Sequence, residues 1–256
     1  MSEAQARLRQ AVRDVRIAVL FSTRLPLGHA QQVDGGDLAR ASWALPVAGA
    51  AIGGVGAAVY GLAYALGFAP LIGAALTIAA TLGVTGALHE DGLADTADGF
   101  GGGATAQRKL EIMRDSRIGT FGACALVLSI LLRVAAIAAL AEPAAVAPAL
   151  IAAHVAARAM LPAFMRMTPP ARTDGLSAGA GRPTLANAVI AAFVGAGTLA
   201  FALTISGAAI SAAALAIAAV CAARISLRQI GGQTGDVAGA LEQVGELVVL
   251  LVATVA

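Results

Sequence analysis

The chain has 256 residues, of which 59% are hydrophobic and only 12% are charged. This composition excludes an ordinary soluble globular protein, because the polar residues are too few to cover its surface, and it indicates a membrane protein. The formal net charge of +2 is too small to predict nucleic acid as a partner. We therefore expect one membrane-embedded domain over residues 1–256.

Three apolar runs are each too long for one membrane span. As a single helix, the run from Pro46 to Leu88 would extend about 65 Å, roughly twice the hydrocarbon core of a bilayer. Each run is expected to fold as two spans, with a break where proline, glycine or polar residues interrupt it. The runs are 46–88, 119–165 and 185–223, and the breaks are expected near 68–70, 142–143 and 206–207. A last helix from about Val237 to Ala256 completes an all-α, polytopic helical bundle of about seven transmembrane helices.

The basic residues give an independent view of this arrangement. Paired spans place four segments on one side of the membrane, and these hold fifteen of the seventeen lysine and arginine residues. The segments are 1–45, 89–118, 166–184 and 224–236. The positive-inside rule predicts that this side is the cytoplasm. Sixteen arginines to one lysine in a chain rich in alanine and glycine are typical of a GC-rich bacterial genome. The expected location is therefore the bacterial inner membrane, with the candidate site facing the cytoplasm.

The sequence HEDGLADTADGFGGG, residues 89–103, has four carboxylates within nine residues. If it is helical, Asp91, Asp95 and Asp98 lie at i, i+4 and i+7 on one face, where their charges repel. A divalent cation relieves this repulsion, and carboxylate oxygens are hard ligands that suit Mg²⁺. The alternative is a solvated acidic loop. The glycines from Gly99 onwards are expected to end the helix, where their backbone can approach a phosphate or act as a flexible linker.

The stretch RKLEIMRDSRIGTFG, residues 108–122, alternates basic and acidic groups before the chain re-enters the membrane. Arg114 and Arg117 are candidates for binding phosphate oxygens, because a guanidinium offers a planar fork of donors. An amphipathic surface helix anchored to anionic lipid explains the same pattern. Asp115 lies between these arginines and is either a further metal ligand or the partner of a neighbouring arginine.

Ionisable residues in or near the predicted spans are further candidates for substrate binding, because such groups are costly inside a bilayer and usually functional. Asp236, Glu242 and Glu246 form a second carboxylate face at the start of the last helix, although snorkelling to the interface also explains them. Arg158 lies four residues after His154 in the fourth predicted span. There it can meet either a carboxylate or a substrate phosphate, whereas His154 is equally explained as a hydrogen-bonded interior histidine.

Three other basic residues complete the set of candidates. His89 begins the acidic stretch and is a candidate substrate contact. Arg24, in the sequence TRLP, is either a phosphate contact or a basic anchor beside the membrane. Arg133 lies near the middle of a predicted span with no partner nearby in the sequence, and no role is predicted for it.

The two motifs together resemble the signature of the cobalamin synthase family. FSTRLPLG at 21–28 and GGQTGDVAGALEQVGE at 231–246 also lie where that family has similar segments, so the resemblance covers almost the whole chain. It implies a late step of corrinoid assembly, adenosylcobinamide-GDP ribazoletransferase activity. A ribose hydroxyl of alpha-ribazole, or of its 5'-phosphate, attacks the corrinoid-linked phosphate of adenosylcobinamide-GDP, and GMP leaves.

The resemblance also implies a magnesium requirement. Asp91, Asp95 and Asp98 would hold one or two Mg²⁺ ions, and Asp115 is added to them as a candidate catalytic residue. One of these carboxylates can instead take the proton of the attacking hydroxyl. Phosphoryl transfer depends mainly on positioning and electrostatics, which suits such a set of residues.

Other functions predict parts of the same pattern. Membrane phosphotransferases acting on CDP-alcohols and aromatic prenyltransferases also use clustered aspartates with magnesium at a membrane face. A transporter relaying through Arg133, His154 and Arg158 is an alternative of another class, but the sequence lacks the internal repeat expected of one. The expected partners are small-molecule substrates and the lipid bilayer, without nucleic acid. The sequence predicts no oligomeric state.

Overall fold

The computed structural model describes residues 2–26, 35–174 and 179–255. Within these ranges the chain is helical and has no β-strand, apart from an isolated bridge between Pro170 and Gln233. The helices are α1 (Glu3–Ser22), α2 (Gly35–Ala41), a 3₁₀ turn (Ser42–Ala44), α3 (Leu45–Ala65), α4 (Pro70–Thr85), α5 (Leu88–Gly102), α6 (Ala106–Ile112), α7 (Thr120–Leu140), α8 (Pro143–Ala159), α9 (Leu161–Met167), α10 (Leu185–Ala202), α11 (Ile205–Ile230) and α12 (Gly235–Ala253). The predicted all-α bundle is confirmed.

Among the described residues, five helical segments are long and apolar enough to cross a membrane. They are Gly36–Ala65, Thr120–Leu140, Pro143–Met167, Leu185–Ala202 and Ile205–Ile230. A sixth span is possible if α4 and α5 act as one unit, which is bent by 91°. Helix α12, expected as the seventh span, forms close to its predicted position but is not among these segments, since it carries three acidic residues.

The breaks between paired spans have local causes. Pro70 and Pro143 each lie at the first position of a helix, where a proline costs no hydrogen bond. The third break lies just before its predicted position, because the Thr204 side chain caps α11 by accepting from the Gly207 amide over 3.1 Å. The proline breaks were therefore predicted correctly, and the third was displaced by a few residues.

The acidic stretch differs from its prediction as a cytoplasmic loop or helix that ends at the glycines. Gly86 and Ala87 adopt positive φ angles of 66° and 57°, which turn the chain sharply between α4 and α5. Helix α5 then continues through the glycines to Gly102. A side chain at Gly99 would overlap Met113, and one at Gly101 would overlap the ring of Phe121. The glycines thus admit neighbouring side chains and do not form a free phosphate-binding loop.

Close contacts between glycines and backbone hold the central helices together. A Cβ atom at Gly53 of α3 would lie 2.8 Å from Ile151 Cα of α8. Helix α5 approaches α12 in the same way, since a Cβ at Gly92 would lie 2.8 Å from the carbonyl oxygen of Asp236. Such small residues let helix backbones pack closely in membranes. Helix α5 consequently packs between α7 and α12, which places its acidic residues beside both.

Candidate active site

Three carboxylates of the candidate site lie close together where α5 meets the first turn of α12. Asp91 and Asp95 are on α5, and the charges of Asp91 and Asp236 both act on Asp95. Among the described residues, no lysine or arginine forms an ion pair with these three groups. Arg172 interacts with Asp95 and Asp236 only by longer-range electrostatic attraction. Clustered carboxylates without a paired base fit a divalent cation such as Mg²⁺.

Asp98 has a structural role that the sequence did not predict. Its carboxylate accepts the backbone amides of Gly119, over 2.7 Å, and Gly122, over 2.8 Å, at the start of α7. Anions at a helix N-terminus are favoured because they satisfy unpaired amides and meet the positive end of the helix dipole. A Cβ at Gly119 would lie 2.5 Å from Asp98 Oδ1, and one at Gly122 would also overlap the carboxylate. The two predicted motifs are therefore joined through this residue.

Two arginines of the second motif, Arg114 and Arg117, face acids of the first. A cavity of about 450 Å³ is lined by Asp91 and Asp95 on one side and by Arg114, Asp115 and Arg117 on the other. This arrangement can bind a metal and the phosphates of a substrate in the same space. The sequence placed Asp115 with the acids as a candidate catalytic residue and predicted the arginines as a separate group, and the fold brings both groups to one cavity.

Asp115 pairs with its neighbour, which was one of its two predicted alternatives. Its carboxylate lies 2.6 Å from Arg117 Nη2 and also accepts the Arg117 backbone amide over 3.1 Å. These bonds lower the pKa of Asp115 to about 2, so it is ionised at neutral pH. Arg114 pairs with Asp174. Both ion pairs are exposed, and such pairs are weak enough for a phosphate to replace the carboxylate.

Arg172 is a candidate that the sequence reasoning missed. It follows α9, donates from Nη2 to the Leu110 carbonyl oxygen over 2.7 Å, and lies near Asp95 and Asp236. Burial lowers its pKa, although a guanidinium remains charged at neutral pH. The signal available in the sequence was its position in the predicted cytoplasmic segment 166–184.

Seven ionisable residues form a buried network in the interior of the bundle. Arg158 Nη1 lies 2.9 Å from Glu246 Oε1 and also pairs with Glu242. His89 Nδ1 lies 3.1 Å from Glu242 Oε2, and His154 pairs with Glu246. The network is completed by Glu90 and Arg133. Either a carboxylate or a substrate phosphate was predicted as the partner of Arg158. In the structure its ion-pair partners are carboxylates.

Arg133, for which no role was predicted, connects three helices of this network. Its Nη1 lies 3.1 Å from Glu90 Oε1 of α5 and 3.2 Å from Glu246 Oε2 of α12. The side chain of Arg133 is 1% exposed. A charge in a span needs a partner at its own depth, and that requirement was the available signal.

The network divides the predicted second carboxylate face. Asp236 belongs with Asp91 and Asp95, whereas Glu242 and Glu246 lie deeper in the bundle. The ligand atoms of His154, Glu242 and Glu246 lie within 4.8 Å of one another, which is close enough for a metal. However, the Arg158 guanidinium already lies against both glutamates, and Arg133 also pairs with Glu246. We therefore interpret this group as an ion-pair network that fixes the helices.

Arg24 lies at the turn between α4 and α5. Its backbone amide donates to the Val84 carbonyl oxygen over 2.7 Å, and its guanidinium covers Gly86, where a Cβ atom would overlap it. The side chain is exposed. Arg24 thus holds the end of α1 against the start of the acidic helix. Leu27 and Gly28, which end the FSTRLPLG motif, lie outside the described residues.

Comparisons with known proteins identify the family. A family model for cobalamin-5-phosphate synthase matches residues 14–254. The chain is 55% identical to adenosylcobinamide-GDP ribazoletransferase of Bradyrhizobium diazoefficiens, with 96% of this chain and 95% of the relative covered. Identity is 50% to the enzyme of that name from Mesorhizobium japonicum, with 97% and 95% covered, and 41% to that from Brucella anthropi, with 90% and 92% covered. No solved structure is significantly similar. The chain therefore belongs to the cobalamin-5-phosphate synthase family.

Proposed function

We propose that this protein is a magnesium-dependent adenosylcobinamide-GDP ribazoletransferase. The observation that supports the proposal most is the single cavity in which Asp91 and Asp95 face Arg114 and Arg117. The two motifs that carry the family resemblance thus contribute to one space. A diphosphate substrate needs both kinds of group. The carboxylates hold a metal ion, and the arginines bind the phosphate oxygens.

The reaction is a phosphoryl transfer between two substrates. A hydroxyl of ribazole, or of its 5'-phosphate, attacks the corrinoid-linked phosphorus of adenosylcobinamide-GDP. A new oxygen–phosphorus bond forms, the bond to the GMP phosphate breaks, and a carboxylate of the site takes the hydroxyl proton. Arg114 and Arg117 bind the diphosphate oxygens and stabilise the charge that develops on the leaving group.

Asp91 and Asp95 are proposed to hold Mg²⁺, with Asp236 and Asp98 close to them. The fit rests on carboxylates that act on one another and form no ion pair within the described chain. A bound magnesium ion supplies positive charge to the diphosphate and orients its oxygens. Asp98 contributes less to this site than the sequence suggested, because it already caps α7.

The activity is tested with purified protein, adenosylcobinamide-GDP and ribazole over a range of magnesium concentrations. Asp91→Asn and Asp95→Asn keep the side-chain shape but lose the charge, so turnover should fall by about 100-fold or more. The double variant should cost little more than the worse single one, since both act through one metal. Glu111→Gln is the matched control, because Glu111 is an exposed acid on α6 outside this cavity. Wild-type magnesium dependence in Asp95→Asn would contradict the assignment.

We further propose that the protein lies in the bacterial inner membrane with this site facing the cytoplasm. The one-sided distribution of basic residues and the apolar helices support this location. Reporter fusions after Gly102 and Asp174 should be cytoplasmic, and fusions after Ala69 and Glu142 periplasmic. A periplasmic reporter at Gly102 would contradict this orientation.

A further inference from the structure

A second cavity adjoins the candidate site on its apolar side. It has a volume of about 220 Å³ and lies between α1, α3, α9, the start of α5 and the start of α12. Most of its walls are apolar side chains. These include Phe21, Leu45, Leu88, Leu161 and Met165. The cavity therefore favours a compact apolar group over a charged one.

The polar groups of this cavity come mainly from the contact between α5 and α12. Asp91 and His89 of α5 line it together with Asp236 of α12. Asp91 also lines the cavity that contains Arg114 and Arg117. The two cavities thus meet at Asp91. A molecule in the apolar cavity can present a hydroxyl to the carboxylates that face the diphosphate-binding arginines.

The shape and chemistry of the cavity select among the groups that the reaction brings together. A corrin ring is far larger than 220 Å³ allows. Guanine has several donors and acceptors along its edges. The polar groups at the α5–α12 contact can pair with only part of them, and burying the rest against the apolar walls is costly. The base of ribazole is a flat benzimidazole with two methyl groups and no hydrogen-bond donor. It is the substrate group that matches an apolar cavity of this size.

We propose that this cavity binds the benzimidazole base of ribazole and directs its ribose towards Asp91. This inference rests on the proposed function, because ribazole becomes a substrate only there. The base lies among apolar side chains of α1, α3 and α9, and the ribose lies at the α5–α12 contact. The attacking hydroxyl then approaches from the apolar cavity, while the diphosphate is held in the arginine-lined cavity. Asp91 is the group that both substrates reach.

The proposal can be tested with a substitution that makes the cavity slightly smaller. Ala238 of α12 lines the cavity and is half-buried. Ala238→Val adds two methyl groups to the wall, which should raise the dissociation constant for ribazole about tenfold or more. A benzimidazole riboside without the two base methyls should lose much less affinity, because it leaves room for the added valine carbons. Binding is measured by equilibrium dialysis of each nucleoside alone against the folded protein in detergent.

Ala253→Val is the matched control, since it makes the same change in a half-buried residue at the other end of α12. It should leave the affinity of both nucleosides unchanged. In turnover assays, Ala238→Val should raise the KM for ribazole and leave the KM for adenosylcobinamide-GDP unchanged. The unfolding midpoint of each variant checks that it is folded, and equal losses of affinity for the two nucleosides in folded Ala238→Val overturn the proposal.

The remaining outcomes separate this proposal from the proposed function. Wild-type protein that binds ribazole with the predicted Ala238→Val preference, but makes no cobalamin product, supports the cavity and contradicts the activity. Product formation together with an Ala238→Val effect confined to adenosylcobinamide-GDP supports the activity and overturns the cavity assignment. Phospholipid that occupies the site while ribazole fails to bind assigns the cavity to lipid and also overturns the proposal.

Discussion

Arg133 of α7 donates from Nη1 to Glu90 Oε1 of α5 over 3.1 Å, and both side chains are buried. Glu90 immediately precedes Asp91 of the candidate site. This buried ion pair thus fixes the start of α5 against α7. Because removing one partner of a buried ion pair leaves an uncompensated charge, this contact ties the position of α5 to that of α7.

Removing Arg133 should therefore destabilise the protein. Arg133→Met keeps much of the side-chain volume but leaves Glu90 and Glu246 without this partner, and we expect a loss of about 3–5 kcal/mol. The measurement is thermal unfolding in detergent. Adding Glu90→Gln should recover part of the loss by removing one unpaired charge. Glu111→Ala, which breaks an exposed pair with Arg108, is the control and should change the midpoint little. Equal midpoints for Arg133→Met and the control would contradict the role of the network.

Substitutions of Asp91 and Asp98 in the first motif should have different effects on the stability of the protein. Asp98→Ala removes the cap of α7, and we expect a loss of about 0.5–2 kcal/mol. Asp91→Ala should leave stability unchanged or slightly higher, because it removes one anion from a repelling group. The two variants are compared by thermal unfolding without magnesium. Equal losses of stability in the two variants would contradict a capping role for Asp98 at Gly119 and Gly122.

Gly119 and Gly122 of the second motif should be required for stability and activity, because a side chain at either position would overlap the Asp98 carboxylate. Gly122→Ala places a Cβ against the Asp98 carboxylate, so α5 and α7 must separate or the cap must break. We expect both a lower unfolding midpoint and lower turnover. Gly83→Ala is the control, because its Cβ would meet nothing within 4 Å and alanine is the better helix former. Full activity of Gly122→Ala would show that the cap is dispensable.

Substitution of Arg114 or Arg117 in the arginine-lined cavity should weaken the binding of only one of the two substrates. Arg117→Ala and Arg114→Ala should raise the KM for adenosylcobinamide-GDP about tenfold or more, because each removes a phosphate-binding fork. The KM for ribazole should stay the same. Arg108→Ala is the control, since Arg108 is an exposed α6 arginine that does not line this cavity. Lysine at position 117 should recover activity only in part, since it lacks the planar fork. An unchanged KM in both alanine variants would remove these residues from the site.

The sequence by itself determined the helical membrane architecture, and it singled out the two motifs as the candidate site. Apolar runs longer than a bilayer is thick must break, and Pro70 and Pro143 mark two of the places, because proline cannot continue a helix. The spacing of Asp91 and Asp95 placed both on one helix face. These features depend on residues close together in the chain, so local rules were sufficient to predict them.

The tertiary structure decided which charges meet. Arg133 and Glu246 are separated by 113 residues and lie 3.2 Å apart, so no periodicity in the sequence connects them. Asp98 followed the same spacing as a metal ligand, yet α7 takes its carboxylate as a cap. Glu242 and Glu246 lie on one helix with Asp236, but their greater depth joins them to Arg158. Burial fixes these pairings, because a charge in a bilayer must find a partner and only the packing of distant helices determines which one it finds.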